Sequence, residues 1–301
     1  MRVLLKTLIK TLIALPVAVG LWAASSLAAG AQTLTHRYSM NGNANDSVGG
    51  VNGFVTGRVT FTTSPGVNGV ATFPGGNPTG TPTPASYIRL PNVTVNGLQD
   101  ATVEIFVTKF SGGMPYIGDA NGFYQALFDV SSSYNLGKYQ TNYVILTVNR
   151  DRANLIGAGI GVAGRINNGP ETVISSGFDL PKTGGLVTLV YQGFKKVGDM
   201  GTVTIYLNGD LVARGGTFFS FADVAAAKDG VGAVGINTVG IGGGSPYPDP
   251  TFNGSITEAR IWSGALSPAQ VMADFKAGPA VVAATSPTGA TPPTTPATPV
   301  R

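Results

Sequence analysis

A two-residue turn late in the chain constrains the fold more than any other feature. Polar and apolar residues alternate over residues 202–207, and Asn208 and Gly209 follow before a second apolar run. An Asn-Gly pair supplies the two positive φ angles that a type I′ turn requires. The pattern predicts a β-hairpin and therefore an antiparallel sheet.

Similar runs of β-forming residues fill most of the chain. Residues 102–108, 143–148 and 186–191 are three of them, and glycine, asparagine and proline separate such runs. Short strands spaced by turn residues are typical of a sandwich or jelly roll. The 43 glycines and the 11% of charged residues fit this class and disfavour a helical bundle. We expect an all-β protein built as a two-sheet antiparallel β-sandwich.

The first 31 residues have the organisation of a secretory signal peptide. Arg2, Lys6 and Lys10 form a basic head, an apolar core follows over residues 12–24, and small residues form a cleavage site. This order is typical of a cleaved signal, and a retained membrane anchor is the alternative. We expect a mature chain that starts at Gln32, is secreted or held at the cell surface, and has no membrane contact after cleavage.

The charge balance indicates no nucleic-acid partner. Three of the 19 basic residues and none of the 15 acidic ones lie in the predicted signal peptide, so the mature chain has a net charge of +1 instead of +4. This balance provides no basic patch for nucleic acid or an anionic membrane. The chain has no cysteine, which excludes a disulfide, a thiol nucleophile and a thiolate metal site. Exported proteins without cysteine are more often bacterial than animal, and we expect a bacterial origin.

One helix is predicted near the C-terminus. Ser267 suits the N-cap, Pro268 suits the first helical position, and Gln270 completes a capping box. A Gly-Pro pair at residues 278–279 should end the helix. We expect this short C-terminal helix to pack against the edge of the sandwich. Its apolar face is predicted to consist of Val271, Met272 and Phe275.

One proline-rich segment interrupts the predicted domain, and a second follows its C-terminal end. Residues 74–84 form a Pro/Gly-rich loop insertion that we expect not to order by itself. Residues 280–301 form a Pro/Thr/Ala-rich tail with little to bury, which predicts disorder. The sandwich domain should therefore span residues 32–279. The tail is either a terminus without a role or a spacer to a surface or a neighbouring domain.

The two ends of the predicted domain resemble a known module. The opening segment, residues 34–40, reads LTHRYSM, and a turn with the sequence NANDSVG follows at residues 43–49. The closing segment, residues 252–262, reads FNGSITEARIW. With the YLNG turn at residues 206–209, these segments resemble the laminin-G-like domains of the concanavalin A-like lectin/glucanase class. The resemblance implies a concanavalin A-like jelly roll in which the first and last strands are neighbours.

The resemblance also implies a structural cation, usually calcium. Asp46 matches the acidic residue of the family's turn, and Glu258 matches an acidic position on its last strand. We expect Asp46 and Glu258 to be the metal ligands of a calcium site completed by backbone carbonyls. Thr257 stands where the family carries an aspartate, and a turn closed without metal is the alternative. Trp262 matches an aromatic residue of the core.

Residues suited to catalysis are scarce, and we expect none to be catalytic. Sugar hydrolysis needs two carboxylates about 5–9 Å apart, which hydrolases of this fold carry on one strand. The strand around residue 104 has only Glu104, which we expect to be the buried partner of a cation such as Arg260. His36, the single histidine, occupies a structural position of the resembling modules, although a Ser-His-Asp relay is conceivable.

A glycan site combines aromatic rings with side chains that form paired hydrogen bonds to hydroxyl groups. Residues 116–124, 134–143 and 244–250 are predicted loops that hold both kinds. The candidate glycan-binding residues in them are Tyr116, Asp119, Asn121, Tyr124, Tyr134, Asn135, Tyr139, Asn142 and Tyr247.

Three functions compete at this point. The leading hypothesis is an exported, non-catalytic recognition module that binds carbohydrate or an extracellular protein. A glycan-cleaving hydrolase or lyase of the same fold is the second, and a structural surface protein is the third. Pairs of acidic residues that face each other across one sheet would favour the hydrolase.

Overall fold

The computed structural model describes most of the chain between Gln32 and Ala283. The described residues are 32–63, 69–76, 85–112, 115–116, 119–132, 142–151, 159–167, 169–216, 219–228, 236, 238–244 and 250–283. Side chains are left undescribed at residues 115–116, 119–124 and 150–151. The predicted signal peptide and the predicted tail beyond residue 283 lie outside the described residues and stay predictions.

These residues form sixteen strands, two α-helices and a 3₁₀ turn at Asn92–Thr94. The strands are β1 (Thr33–Tyr38), β2 (Phe54–Thr56), β3 (Thr60–Thr62), β4 (Val70–Gly76), β5 (Tyr87–Arg89), β6 (Ala101–Phe110), β7 (Pro115–Tyr116), β8 (Asp119–Ser131), β9 (Tyr143–Asp151), β10 (Gly161–Arg165), β11 (Thr172–Ser175), β12 (Gly185–Gln192), β13 (Thr202–Leu207), β14 (Asp210–Gly216), β15 (Thr238–Ile241) and β16 (Thr251–Ser263). The helices are α1 (Phe221–Ala226) and α2 (Pro268–Ala277).

The strands form a two-layer sandwich, as the sequence predicts. The front sheet has the order β11-β10-β9-β8-β15-β5-β2, with β7 beside β8. The back sheet has the order β16-β6-β12-β13-β14, and β1 and β4 lie along the other side of β16. A single parallel pair, Thr251 with Ala126, joins the two layers. All other strand pairs among the described residues are antiparallel.

The main core lies between the two sheets, because alternate residues of each strand point inward. Val103 and Ile105 of β6 contribute from the back sheet, and Leu146 and Val148 of β9 contribute from the front sheet. All four are at most 1% exposed. The outer faces of the two sheets therefore carry the residues between these positions.

The first and last strands are neighbours, as the resemblance implies. In the pairing of β1 with β16, Thr33 lies opposite Ser263 and Tyr38 lies opposite Ala259. Trp262 is fully buried, which confirms its predicted place in a core. The two segments that resemble the module thus pair with each other in the back sheet, with a register shift between Leu34 and His36.

The hairpin of β13 and β14 is confirmed at the predicted turn. Asn208 and Gly209 have φ angles of 55° and 85°, and Leu207 lies opposite Asp210. Asn208 also fastens this turn to β12, because its Oδ1 accepts a hydrogen bond from the N–H of Leu186 at 2.9 Å. The backbone of Asn208 therefore forms the turn, and its side chain bonds the turn to β12.

Helix α2 begins as predicted, but its inner face differs from the prediction. Ser267 and Gln270 form the capping box, with the N–H of Ser267 donating to Gln270 Oε1 at 2.9 Å. The buried residues are Val271 and Asp274, whereas Phe275 is 38% exposed. The helix turns Asp274 inward because a buried arginine of β16 lies beneath it, and this ion pair could not be foreseen from an apolar stripe.

Two predicted irregular segments are partly ordered. Within the predicted loop insertion, residues 74–76 belong to β4, and Pro74 and Gly76 pair with Asn253 and Thr251 of β16. The remaining residues of that insertion, 77–84, lie outside the described residues. Proline can occupy a strand where its missing N–H is not needed for the ladder.

The predicted domain boundary at residue 279 is also too early. Residues 279–283, here called the strap, run over the back sheet and are held by side chains of the domain. Arg260 Nη2 donates to the carbonyl oxygens of Pro279 at 3.1 Å and Val281 at 2.7 Å. Asp274 Oδ1 accepts a hydrogen bond from the N–H of Ala283 at 2.7 Å. The ordered domain therefore reaches Ala283.

Neither helix in the described part of the chain has the length and apolar character needed to cross a membrane.

Candidate functional site

The structure places the first group of glycan candidates on strands and not in a loop, as a correction to the sequence prediction. Tyr116 belongs to β7, and Asp119, Asn121 and Tyr124 belong to β8. In this hairpin Tyr116 lies opposite Asp119. The prediction was wrong because Asn121 and Gly122 look like turn residues, whereas β8 continues through them.

The remaining candidates divide between one described residue and four that are not described. Tyr134, Asn135, Tyr139 and Tyr247 lie outside the described residues. Asn142 directly precedes β9 and is fully buried. Its Nδ2 donates to the carbonyl oxygen of Lys228 at 2.6 Å, and its Oδ1 accepts from the N–H of Asn167 at 2.7 Å. Both ends of this amide are thus used to join two loops.

The described candidates do not form one site, because they lie at opposite ends of the front sheet. β8 pairs Tyr124 with Arg150 at one end and Ser131 with Tyr143 at the other. Seven residues of strand between Tyr124 and Ser131 correspond to roughly 23 Å. Asn142 therefore belongs to a different part of the surface from the β7–β8 hairpin.

The end of the front sheet near Asn142 holds the best-defined polar group on its outer face. Tyr143 stands between Ser131 of β8 and Arg165 of β10 in the strand register. Its hydroxyl donates to Glu171 Oε1 at 2.7 Å, and the Arg165 guanidinium carbon lies 6.0 Å from the centre of its ring. We call Ser131, Tyr143, Arg165 and Glu171 the Tyr143 cluster.

The Tyr143 cluster passes from a buried centre to an open margin. Ser131 is fully buried and Tyr143 is 3% exposed, whereas Arg165 is half-buried and Glu171 is exposed. Ser131 Oγ and Arg165 Nε are buried atoms with no hydrogen-bond partner, as is Oδ1 of Asn149 farther along β9. Buried polar atoms normally have partners in protein or solvent. Ser131 and Asn149 are at most 2% exposed, so their atoms lie enclosed, and the accessible part of the cluster consists of Arg165 and Glu171.

The acidic side chains described on this face are too far apart for glycoside hydrolysis. Asp129 of β8 lies three strand positions from Glu171, which precedes β11. Three spacings between neighbouring strands amount to roughly 14 Å, whereas paired catalytic carboxylates stand at most about 9.5 Å apart. These two residues therefore do not form the pair that a hydrolase needs.

Asp46, one of the two predicted metal ligands, closes the turn after β1. Its Oδ1 accepts hydrogen bonds from the N–H groups of Arg37, Val48 and Gly49 at 2.9–3.1 Å. Its Oδ2 lies 2.7 Å from His36 Nδ1 and accepts from the N–H of Val51 at 3.0 Å. Five hydrogen-bond donors thus surround the Asp46 carboxylate. Calcium binding at this turn stays a prediction.

These hydrogen bonds also determine the ionisation of Asp46. Burial alone would raise the pKa of Asp46, but the N–H of Arg37 and the imidazole of His36 more than offset that effect, so its pKa lies below 3.8. Gly49 is needed in the turn, because a Cβ there would come within 2.5 Å of His36 Nδ1. His36 therefore has a structural role in the described geometry.

Glu258, the other predicted metal ligand, belongs to a buried ion network on the outer face of the back sheet. Its Oε2 accepts from Arg37 Nη2 at 2.8 Å, and its Oε1 accepts from Nε of Arg260. Arg260 is fully buried and also lies 3.3 Å from Asp274 Oδ1. Arg37 binds both predicted ligands, its N–H bonding to Asp46 and its guanidinium to Glu258, but His36 faces Asp46 whereas Arg260 faces Glu258.

Glu104 lies in the same network, as the sequence predicts. Its Oε2 is 3.7 Å from Arg260 Nη1 and accepts a hydrogen bond from Trp262 Nε1 at 3.0 Å. Burial and the nearby Asp274 carboxylate raise the pKa of Glu104 to about 8, although Arg260 acts in the opposite direction. Glu104 is therefore a neutral hydrogen-bonded group near pH 7.

Within the described ranges, no three histidine, aspartate or glutamate side chains stand close enough together to hold a metal ion. Arg165 and Glu171 of the Tyr143 cluster are not among the site residues predicted from the sequence. One signal was present: in a chain with only 11% charged residues, an arginine that ends a strand of small residues is unusual. Its approach to Tyr143 depends on strand register, which the sequence does not show.

The family of the chain follows from its sequence as well as from this geometry. Residues 79–272 match the family model described as the concanavalin A-like lectin/glucanases superfamily. The matched region is well over half of the chain. The protein therefore belongs to this superfamily.

Solved structures with the same architecture include proteins that act on carbohydrates. Domain 4 of AbnA, a GH43 extracellular arabinanase from Geobacillus stearothermophilus, was solved in complex with arabinotriose. It is 22% identical, with a TM-score of 0.54, and the alignment covers 80% of this chain and 97% of that domain.

Two other structures are less similar. Trypanosoma rangeli sialidase, solved with sialic acid, is 13% identical over 80% of this chain and 32% of the sialidase, with a TM-score of 0.45. The botulinum neurotoxin serotype D binding domain is 13% identical over 82% of this chain and 52% of that chain, also with a TM-score of 0.45. No protein with a curated description matches the chain.

Proposed function

We propose that this domain is an exported, non-catalytic recognition module that binds glycan at the Tyr143 cluster. The observation that carries the proposal is the geometry of the open margin, where the guanidinium of Arg165 lies over the ring of Tyr143 and the Tyr143 hydroxyl is bonded to exposed Glu171. A guanidinium and a carboxylate side by side can form paired hydrogen bonds with neighbouring sugar hydroxyls.

Two further observations support glycan as the ligand. The fold of this chain extends over nearly all of an arabinanase domain that was solved with arabinotriose. The margin of the Tyr143 cluster is accessible to a hydroxyl-rich ligand, since Glu171 is exposed and Arg165 is half-buried. The separation of roughly 14 Å between Asp129 and Glu171 favours glycan binding over glycan cleavage.

The test is glycan binding by the chain that starts at Gln32. Calorimetric titration with arabinotriose, and then a panel of neutral and acidic oligosaccharides, should identify a ligand that binds saturably. Arg165→Ala should weaken its binding about tenfold, because a charge-assisted pair of hydrogen bonds is lost. Arg214→Ala is the matched control, since Arg214 is exposed on β14 of the back sheet.

Three results would contradict the proposal. The chain could bind no oligosaccharide, or Arg165→Ala could bind as tightly as the unchanged chain. The release of new reducing ends during incubation would contradict the non-catalytic part. Capture of an extracellular protein that is unaffected by Arg165→Ala would point to a different recognition surface.

A further inference from the structure

Eight asparagine residues of the chain are followed directly by glycine, and the structure holds these Asn-Gly pairs in different ways. An asparagine side-chain amide can react with the backbone nitrogen of the next residue. Glycine hinders that nitrogen least, because it has no side chain. Ring closure also requires that neither the amide nor the nitrogen is held by another partner. The contacts of each pair therefore decide whether it can react.

The structure describes the side chain and the backbone of five of these pairs. Residues 68 and 168 and the side chain of residue 121 lie outside the described part of the chain, which leaves three pairs aside. The asparagines of the five described pairs are Asn41, Asn52, Asn96, Asn208 and Asn253.

Two of the five pairs are held through the N–H group of their glycine. The N–H of Gly42 donates to the carbonyl oxygen of Met40 at 3.0 Å, and the N–H of Gly53 donates to that of Ala44 at 2.8 Å. Each of these bonds must break before the glycine nitrogen can attack the preceding side chain. The hydrogen bonds should therefore slow the reaction of both pairs.

Two other pairs are held by a side-chain hydrogen bond and by a strand. Asn208 Oδ1 accepts from the N–H of Leu186 at 2.9 Å, so its amide is fixed against β12. Asn253 and Gly254 lie within β16, and Gly254 lies opposite Phe110 of β6. A paired strand fixes the backbone, and a ring cannot close there without breaking the ladder.

The remaining pair, Asn96 and Gly97, lacks such restraints. It forms a turn after the 3₁₀ turn at Asn92–Thr94, and both residues are exposed. Gly97 has a φ of 81°, and a Cβ placed on it would meet no atom within 4 Å. Within the described ranges, neither the Asn96 side chain nor the Gly97 N–H forms a hydrogen bond. The two reacting groups are thus exposed and free to approach each other.

The backbone beside this pair is anchored to helix α1. The N–H of Leu98 donates to the carbonyl oxygen of Val95 at 3.1 Å, and the carbonyl oxygen of Leu98 accepts from the N–H of Ala222 at 2.9 Å. An isoaspartate at residue 96 would lengthen the main chain of the turn next to this contact.

We propose that Asn96 is a site of spontaneous modification, at which water converts the side-chain amide to aspartate or isoaspartate. The Gly97 nitrogen forms a bond with Asn96 Cγ, the bond between Cγ and Nδ2 breaks, and ammonia leaves with the Gly97 proton. Water then opens the resulting succinimide ring at one of its two carbonyl groups. Water is the only co-reactant, and no atom is oxidised or reduced. Each conversion places a new carboxylate on the turn, and the proposal does not depend on glycan binding.

The test follows the five described pairs during prolonged incubation of the folded chain at mildly alkaline pH. Mass spectrometry of proteolytic peptides would measure the fraction of each asparagine that has become aspartate or isoaspartate. Asn96 should convert at least about fivefold faster than each of the other four, the factor that corresponds to one retained hydrogen bond. In urea the five rates should become similar, because the fold then holds none of the five pairs.

Asn96→Gln and Asn41→Gln are the matched variants, since glutamine closes the corresponding ring much more slowly and both positions are exposed. Asn96→Gln should abolish conversion at residue 96, whereas Asn41→Gln should leave the Asn96 rate unchanged. Conversion of Asn96 no faster than that of the four held pairs in the folded chain would overturn the proposal. The same ranking in urea would also overturn it, because the local sequence and not the fold would then set the rates.

Discussion

The outer faces of the two sheets are covered in different ways. On the back sheet, α2 and the strap cover the surface, and Arg260 is surrounded by Glu104, Glu258 and Asp274. Both faces hold buried polar atoms without a hydrogen-bond partner, among them Glu104 Oε1 on the back sheet and Ser131 Oγ on the front sheet. The back face is closed by α2 and the strap, whereas the front face ends in an accessible margin at Arg165 and Glu171. The comparison predicts that mutations on the two faces affect different properties.

The back face should show the largest effect on stability. Arg260→Ala leaves the carboxylates of Glu258 and Asp274 without their buried cation, and removing one partner of such a group costs about 3–5 kcal/mol. Urea unfolding monitored by Trp262 fluorescence would measure the loss. Arg214→Ala, on the exposed side of β14, should stay within about 0.5 kcal/mol. Equal losses in the two variants would remove the distinction between a closed back face and an ordinary surface.

The pH dependence of unfolding should reveal Glu104 as a second property of the back face. The native state keeps the Glu104 proton up to a pKa of about 8, whereas the unfolded state releases it near 4.5. Stability from this group is complete below pH 4.5 and declines as the pH rises towards 8. The decline should be on the order of 3–5 kcal/mol, which follows from the size of the pKa shift.

Glu104→Gln isolates this effect, because glutamine keeps the acceptor for Trp262 Nε1 and cannot ionise. The variant should show a flatter profile of unfolding free energy between pH 5 and pH 9. The charged groups that face residue 104 are Arg260 and Glu258 of β16, Asp274 of α2 and, beyond Glu258, Arg37 of β1. A decline of the same size in Glu104→Gln would assign it to these groups instead.

The front face should show the smallest effect on stability and a clear effect on binding. Ser131→Ala removes a buried hydroxyl that has no partner, so the free energy of unfolding should change by less than about 1 kcal/mol or increase. Glu171→Gln at the open margin should weaken binding of the glycan identified by titration by a few-fold. A loss of more than about 2 kcal/mol of stability in Ser131→Ala would show that the front face is closed in the same way as the back face.

Local signals predicted much of the fold. The hairpin at Asn208 and Gly209 and the capping box of α2 depend on neighbouring residues, and both are confirmed. The pairing of Glu104 with Arg260 was foreseen because one buried acid on a β-strand requires a cation. The predicted place of Phe275 on the inner face of α2 is wrong. An apolar side chain near a helix end can remain exposed when an ion pair takes the inner position.

The candidate site was less accessible to sequence reasoning. Tyr143, Arg165 and Glu171 are separated by more than 20 residues at the extremes and meet only through the register of β9, β10 and β11. The sequence predicts that Asn142 binds glycan, yet its amide joins the loops at Asn167 and Lys228. Its residue type shows only that it is polar. Its contacts are needed to distinguish a side chain that joins two loops from one that binds a ligand.

The strap has a consequence for how the domain can be displayed. Gln32 contacts Gln270 at the start of α2, and Ala283 is tied to Asp274 of the same helix, so the chain enters and leaves the domain on the back side. Any support joined through residue 284 would therefore hold the module by its sealed surface and point the Tyr143 cluster outward. A shortened chain that ends before Ala283 would open that seal.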